Sequence, residues 1–291
     1  MLTDDPMSTF EFTPNPHAVG VRIHGVDLAR PLSAAATRQI RHLLHLYKLV
    51  IFDQQRLDDA QLCAFAHRFG PPFLSTKGNP VLGGSELLPD VVVVGNQADE
   101  YEQAFLGHQE VLPHSDHQWL RCPSAASLLY AIDIAPGSSS TTWIDMEAAY
   151  TLLDEATKTR IATLQLITYN PFYRPFGSVR ERYVDSRIEH VPGEVHPHPL
   201  VRTHPETGKQ VLYLHAAYEM ELVDVDYDEG RVLIDKLLAH MATVPCRYEH
   251  PWKEGDLVMW DNQATVHYRP AFGAAVRRVL KRVTVGGGVP F

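Results

Sequence analysis

The chain has 291 residues, of which 45% are hydrophobic and 21% are charged, and its formal net charge is −9. A chain of this length can bury a large core, and the composition is typical of a soluble globular protein. The negative charge argues against nucleic acid or an anionic membrane surface as a partner. No run approaches the roughly 18 apolar residues of a membrane span. We therefore predict a single domain over residues 1–291; a homo-oligomer is compatible with this composition.

Cysteine usage and the N-terminus bear on the cellular compartment. Cys63, Cys122 and Cys246 are odd in number and far apart, which is neither a disulfide framework nor a zinc-knuckle pattern. The first residues are acidic and lack the basic-then-apolar order of a signal peptide. Both features indicate a cytoplasmic protein with reduced thiols.

The N-terminal third predicts helices beside short strands. Residues 19–28 alternate apolar and polar side chains, as a half-buried strand does. Ser33 is placed to cap a first helix, and Asp58 with Gln61 has the sequence of a capping box at the start of a second one. The apolar run 49–52 predicts a buried strand between the two helices.

Two irregular segments and many short strands follow. Residues 70–89 contain four glycines and four prolines, and residues 171–199 form a second long segment without periodicity. We predict that both are active-site loops, because long irregular segments in compact domains are usually functional or disordered. One more helix is predicted with Asp228 as its cap. Strands are predicted at 91–94, 127–134, 141–144, 164–169, 200–203, 210–214, 246–249, 257–260, 264–267 and 276–285.

This order of elements predicts a mainly β fold with flanking helices. Short strands joined by long connections are typical of an antiparallel double-sheet jelly roll (a double-stranded β-helix, cupin-like), and the helices would pack outside it. The sequence contains no internal repeat and no glycine-rich phosphate cradle before a helix. Nucleotide-binding folds of that kind are therefore not expected.

A short polar motif carries candidate metal ligands. His114 and Asp116 are separated by one residue, so both side chains share one face of a strand. With the distant His267 they form a 2-His-1-carboxylate set, the arrangement that leaves coordination positions open in non-haem Fe(II) oxygenases. Because the chain has 16 histidines, such a pair also arises by chance. His108 and Glu110 are a second candidate pair.

Two other functions use the same residues differently or not at all. A zinc hydrolase could use the cluster His108, His114, Asp116 and His117, since zinc takes the same ligand types. It would leave the remote His267 without a role. A non-enzymatic jelly-roll binding protein would need no ligand set.

The closing strand is rich in arginine. Alternation places Arg278 and Arg282 on one face and Arg277 and Lys281 on the other, but periodicity alone does not say which face is inside. An inward arginine is costly unless it meets an anion, and its planar fork suits a carboxylate.

The motifs together resemble the taurine dioxygenase family (TauD/TfdA-like) of Fe(II)- and 2-oxoglutarate-dependent dioxygenases. The resemblance covers nearly the whole chain in the same order. The separations of 25 residues from Asp116 to Thr141 and 11 from His267 to Arg278 agree with the family's pattern. The segments that carry it are 25–32, 68–71, 114–116, 141–143, 196–209, 260–267 and 277–278.

The resemblance implies roles for five residues. His114, Asp116 and His267 would be the iron ligands, while Thr141 and Arg278 would bind the distal carboxylate of 2-oxoglutarate. The implied reaction consumes O₂ and 2-oxoglutarate, oxidises an unactivated C–H bond and releases succinate and CO₂. The carboxylate ligand argues against halogenation, and residues 260–262 are expected to form a turn that aims the last histidine.

The resemblance also indicates where a small-molecule substrate would bind. Arg282 matches the position that faces the substrate's anionic group, and Ser75 stands where the taurine enzyme has a histidine. His117, Tyr213 and His215 are further candidate walls of the pocket. Because Ser75 and Pro113 depart from the pattern of the taurine enzyme, we expect a different, carboxylate-bearing and largely apolar substrate.

Overall fold

The structure is a computed structural model that describes residues 10–16, 19–73, 90–101, 104–171 and 195–291. Its helices are α1 (Ala34–Tyr47), α2 (Asp59–Ala66), α3 (Met146–Thr151), α4 (Glu155–Ile161) and α5 (Tyr227–Thr243). Its strands are β1 (Phe12–Pro14), β2 (Val21–Ile23), β3 (Leu49–Phe52), β4 (Val92–Gly95), β5 (Phe105–Leu106), β6 (Val111–His114), β7 (Ser124–Ile134), β8 (Thr141–Asp145), β9 (Gln165–Thr168), β10 (Pro197–Pro199), β11 (Val201–Thr203), β12 (Gln210–Leu212), β13 (Met220–Leu222), β14 (Arg247–His250), β15 (Leu257–Asp261), β16 (Thr265–Arg269) and β17 (Arg278–Gly286).

Two main sheets build the jelly-roll core. The larger has eight strands in the order β1-β2-β3-β15-β7-β17-β4-β5, and the smaller has four in the order β14-β8-β16-β6. Trp143 from the smaller sheet packs in one buried cluster with Trp260, Leu129 and Leu280 from the larger. Side chains from both inner faces thus form the core, as they do in a double-sheet fold. The predicted mainly β jelly roll with flanking helices is confirmed.

The first two helices cover the outer face of the larger sheet. Leu43 of α1 and Phe65 of α2 lie in a second cluster with Leu128 and Val283, which alternate with residues that face inward. Ser33 Oγ accepts a hydrogen bond from the backbone of Ala36 at the start of α1. The predicted capping box at the start of α2 is also present. These caps were predictable because they depend only on neighbouring residues.

The structure departs from the prediction in several places. Helices α3 and α4, which follow β8, were not predicted. The cap of α5 is Asp226 and not Asp228, because Oδ1 of Asp226 accepts from two backbone amides of the first turn. The strand predicted at 19–28 is shorter and ends at Ile23. Most of the two predicted active-site loops, residues 74–89 and 172–194, lies outside the described residues. No described helix is long and apolar enough to cross a membrane.

Candidate metal centre and co-substrate pocket

The candidate metal ligands come together at one end of the smaller sheet. β16 pairs with β6 so that His267 lies opposite His114, and Asp116 follows two residues after the end of β6. Oδ1 of Asp116 is 3.7 Å from Nε2 of His114 and 4.0 Å from Nε2 of His267. All three ligand atoms lie within 4.8 Å of one another. They could therefore reach one ion, since bonds from nitrogen and carboxylate ligands to a metal such as zinc are about 2.0–2.2 Å.

The hydrogen bonds and electrostatics of the site also suit a divalent metal. Nδ1 of His114 donates to the Leu112 carbonyl at 2.8 Å, and Nε2 is the ring nitrogen that faces Asp116. Burial and the nearby His114 lower the pKa of His267 to about 3. Burial alone would raise the pKa of Asp116, but Arg282 and the two histidines hold it well below its usual range. Two imidazole nitrogens and one carboxylate oxygen are a donor set that Fe(II) accepts.

A hydrogen-bond network holds the carboxylate in place. Ser127 Oγ donates to Oδ2 of Asp116 at 2.7 Å, so Oδ1 is the oxygen that faces the histidines. Asn262 Oδ1 accepts from the backbone N–H of Asp116 at 2.8 Å, and its Nδ2 donates to the carbonyls of Asp116 and Ser124. Residues 260–262 were predicted to form a turn that aims His267. The additional role of the Asn262 side chain, which fixes the loop that carries Asp116, was not predicted.

The alternative candidate metal ligands do not lie together with His114, Asp116 and His267. Glu110 is exposed, and the nearest polar partner of His108 is Gln109, on the surface. The ring of His117 stacks on Phe73 with centroids 4.0 Å apart, and its Nδ1 is bonded to Ser124 Oγ. The two groups of three possible ligands in the described part of the chain include neither His108 nor His117. The zinc-hydrolase cluster therefore has no support in this geometry.

The second group of three possible ligands is His45, His204 and Asp261. Nδ1 of His204 accepts from the backbone amides of residues 206 and 207, so its proton lies on Nε2 and is donated to Oδ2 of Asp261. His45 Nδ1 shares the same oxygen at 2.9 Å. Hydrogen bonds thus already occupy the atoms that would bind an ion. We infer that these hydrogen bonds fix Asp261 at the end of β15 and so help to position the adjacent Asn262.

A pocket adjoins His114, Asp116 and His267, which we call the triad, and the predicted co-substrate residues line it. Its empty volume is about 410 Å³, including the open mouth. Arg278 is 2% exposed, and its Nη2 donates to Thr141 Oγ1 at 3.1 Å. Trp252 Nε1 donates to the same hydroxyl oxygen at 2.9 Å. Burial, followed by the charge of Arg269, lowers the pKa of Arg278 to about 9. A buried guanidinium beside a hydroxyl is suited to binding a carboxylate.

The structure identifies the inner face of the closing strand. Arg278 and Arg282 line the pocket, and Leu280 between them lies in the inner core. On the other face Lys281 pairs with Asp59. Arg282 is 8% exposed and its Nη1 donates to Oδ1 of Asp116 at 3.2 Å. The candidate anion contact is thus close to the metal centre.

The remaining candidate substrate residues lie at different places relative to the pocket. His117 follows Asp116 directly and has a left-handed backbone (φ 62°), while His215 is buried and bonded to Thr168. The Tyr213 ring lies under the Arg202 guanidinium, 5.0 Å away, and does not line the pocket described above. Ser75 lies outside the described residues.

Sequence reasoning missed an aromatic neighbour of the triad. The ring of Tyr218 lies edge-on to His114 at 6.0 Å and to Trp119 at 5.0 Å. Burial and the charge of Asp116 raise its pKa. Tyr218 belongs to an irregular segment without a motif, between the strand predicted at 210–214 and the last predicted helix. The sequence therefore contained no signal for it beyond an aromatic residue without an assigned role.

Comparisons with known proteins show the family of the chain. Residues 9–284 match the family described as "Taurine catabolism dioxygenase TauD, TfdA family". The chain is 30% identical over 273 residues to an alpha-ketoglutarate-dependent 2,4-dichlorophenoxyacetate dioxygenase of Burkholderia sp. (strain RASC), covering 91% of each chain. The crystal structure of a taurine dioxygenase from Burkholderia xenovorans is similar, with a TM-score of 0.78, 28% identity and coverage of 97% of this chain and 92% of the other.

A second solved structure bears on the bound groups. AAD-2 in complex with Mn(II) and N-oxalylglycine has a TM-score of 0.77 and 27% identity, covering 97% of this chain and 99% of the other. The match to the family extends over almost the entire sequence, and the predicted resemblance is confirmed. The chain belongs to the TauD/TfdA family, and it is a 2-oxoglutarate-dependent dioxygenase that uses Fe(II), 2-oxoglutarate and O₂.

Proposed function

We propose that His114, Asp116 and His267 hold the Fe(II) of this dioxygenase. The observation that carries the proposal is the approach of both Nε2 atoms to a single oxygen of Asp116, at 3.7 and 4.0 Å. Three protein ligands leave open positions for the co-substrates. When bound, the iron supplies the oxidative chemistry, and the protein supplies orientation and a site shielded from water.

Thr141 and Arg278 bind the distal carboxylate of 2-oxoglutarate in this proposal. Arg278 Nη2 and Trp252 Nε1 both donate to Thr141 Oγ1, so the hydroxyl proton is left to point away from them. The buried guanidinium and that proton would both face the carboxylate. Both side chains line the same pocket as His114 and His267, which supports a binding mode with the keto-acid end of the co-substrate within reach of the metal.

The prime substrate in this proposal is a small, largely apolar carboxylic acid that is oxidised at an unactivated C–H bond. Arg282 is its anion contact, because this buried cation lies beside the metal centre. Tyr218, Trp119 and His117 form an aromatic group next to His114, which suits an apolar body. A relative named as a 2,4-dichlorophenoxyacetate dioxygenase acts on an acid of this general kind. The protein is also proposed to be cytoplasmic and to consist of one domain.

The proposal is tested by anaerobic titration followed by turnover. Fe(II) and 2-oxoglutarate are added without O₂, and the weak visible charge-transfer band of a chelated keto acid is recorded. The wild type should develop the band, His267→Ala should not, and His108→Ala serves as the matched control. A panel of aromatic and aliphatic acids is then screened for substrate-dependent release of succinate. Retention of the band in His267→Ala would remove this residue from the ligand set.

A further inference from the structure

Arg269 is a buried cation in the co-substrate pocket that has no role in the proposed function. It is the last residue of β16, two positions after His267, so the two side chains share one face of the strand. The residue is 4% exposed. It lines the same pocket as Thr141 and Arg278.

The strand register brings Arg269 next to Thr141. The ladder between β16 and β8 pairs His267 with Trp143 and Tyr268 with Thr142. One further step along this antiparallel ladder places Arg269 alongside Thr141, and residues directly opposite each other face the same side of a sheet. The charge of Arg269 also acts on Arg278. Arg269 and Arg278 therefore both line the pocket that contains the Thr141 hydroxyl.

The described contacts of Arg269 are to carbonyl groups and an aromatic ring. Nη2 donates to the carbonyls of Leu106 at 3.3 Å and Gln109 at 2.7 Å, and the guanidinium lies 4.8 Å from the centre of the Phe272 ring. Nη1 is buried and has no hydrogen-bond partner in the part of the chain that the structure describes. Among the described residues, no carboxylate forms an ion pair with it. A buried charge is costly unless it is paired. An anion bound next to Arg269 would provide this pairing.

We propose that Arg269 is a third binding group for the distal carboxylate of 2-oxoglutarate, acting together with Thr141 and Arg278. This inference rests on the proposed function, which puts that carboxylate at the two other residues. Two cations on one carboxylate would make the pocket strongly selective for keto acids that carry a second acid group. Arg269 is then a specificity residue for the co-substrate and not for the prime substrate.

The experiment compares two keto acids that chelate iron in the same way. 2-Oxoglutarate has a distal carboxylate and 2-oxobutyrate has none. Their dissociation constants are measured anaerobically with the Fe(II) protein by charge-transfer absorbance, and by calorimetry with the Mn(II) protein. Arg269→Gln should weaken 2-oxoglutarate binding by about 10- to 100-fold, the size expected for a lost charge-assisted hydrogen bond. It should leave 2-oxobutyrate binding unchanged.

Two more variants make the comparison decisive. Arg277→Gln is the matched control, because that guanidinium is already paired with Glu100 and Asp133 and its loss should weaken neither ligand selectively. Arg269→Lys keeps the charge but loses the planar fork, so it should show a smaller, still selective loss; it carries the test if Arg269→Gln does not fold.

Each outcome has a defined meaning. Equal weakening of both keto acids, or no weakening of either, would overturn the role of Arg269 while leaving the proposed function intact. Failure of the wild type to bind either keto acid would overturn the proposed function and this inference together.

Discussion

Nη1 of Arg282 donates a hydrogen bond of 3.2 Å to Oδ1 of Asp116, the same oxygen that faces Nε2 of both triad histidines. This oxygen of Asp116 thus lies next to both candidate histidine ligands and the candidate substrate contact, Arg282. An ion at the triad would compete with Arg282 for this oxygen. We expect metal binding to weaken the hydrogen bond between Arg282 and Asp116, so the iron-loaded enzyme should bind an acidic substrate more tightly than the metal-free protein.

Replacing Arg282 with Gln tests its role toward the prime substrate. The variant should raise KM for an acidic substrate by about 10- to 100-fold, because a charge-assisted hydrogen bond is lost. The affinity for 2-oxoglutarate should stay as in the wild type. Succinate release measured against each substrate separates the two effects. Lys281→Gln is the control, since Lys281 faces away and pairs with Asp59; equal changes toward both substrates would refute the assignment.

Replacing Ser127 with Ala tests the orientation of the carboxylate ligand. Ser127 Oγ holds Oδ2 of Asp116 at 2.7 Å and thereby leaves Oδ1 for the ion. Groups that orient a metal ligand commonly contribute about 10- to 100-fold to metal affinity, so Ser127→Ala should weaken Mn(II) binding by that factor in calorimetry. Ser115→Ala removes a hydrogen bond to the Asn262 carbonyl in the same loop without touching the carboxylate. The idea fails if both variants lose affinity equally.

The sequence predicted those parts of the site whose signals are local or chemical. The pair His114 and Asp116 was found because alternate residues of a strand share a face. The caps at Ser33 and Asp58 were found because capping involves only the first turn of a helix. His267 was included as the distant third member of a 2-His-1-carboxylate set, and the family resemblance then supported it, since nothing in its own neighbourhood distinguishes it from the other histidines.

Features that depend on packing could not be predicted. Periodicity showed that Arg278 and Arg282 share a face, but only the packing of Leu280 against the other sheet shows that this face is inside. The burial of Arg269 depends equally on the neighbouring strand and on the segment that contains Gln109. The cap of α5 was misassigned because several aspartates occur together and the helix begins earlier than its apolar pattern suggests.

Trp252 is predicted to position the Thr141 hydroxyl for 2-oxoglutarate. Its Nε1–H and Arg278 Nη2 both donate to Thr141 Oγ1, so the hydroxyl proton has to point elsewhere. Trp252→Phe keeps most of the ring packing and removes one donor. It should weaken 2-oxoglutarate binding by about 3- to 10-fold, as expected for one neutral hydrogen bond, with little change in kcat. Anaerobic titration of the charge-transfer band measures this, and a change in kcat alone would contradict a positioning role.

We predict that His198 lowers the free energy of unfolding as the pH decreases. Its Nε2 donates to the Leu120 carbonyl, its Nδ1 is buried with no hydrogen-bond partner among the described residues, and burial lowers its pKa from 6.5 to about 4. At pH values between these two pKa values, His198 is protonated in the unfolded chain but not in the folded protein. The free energy of unfolding therefore decreases as the pH falls, by up to about 1.4 kcal/mol per pH unit. His198→Gln should reduce this slope in urea unfolding of the metal-free protein between about pH 6.5 and about pH 5. The exposed His42→Gln should keep the wild-type slope, and an unchanged slope in His198→Gln would show that another group carries the acid sensitivity.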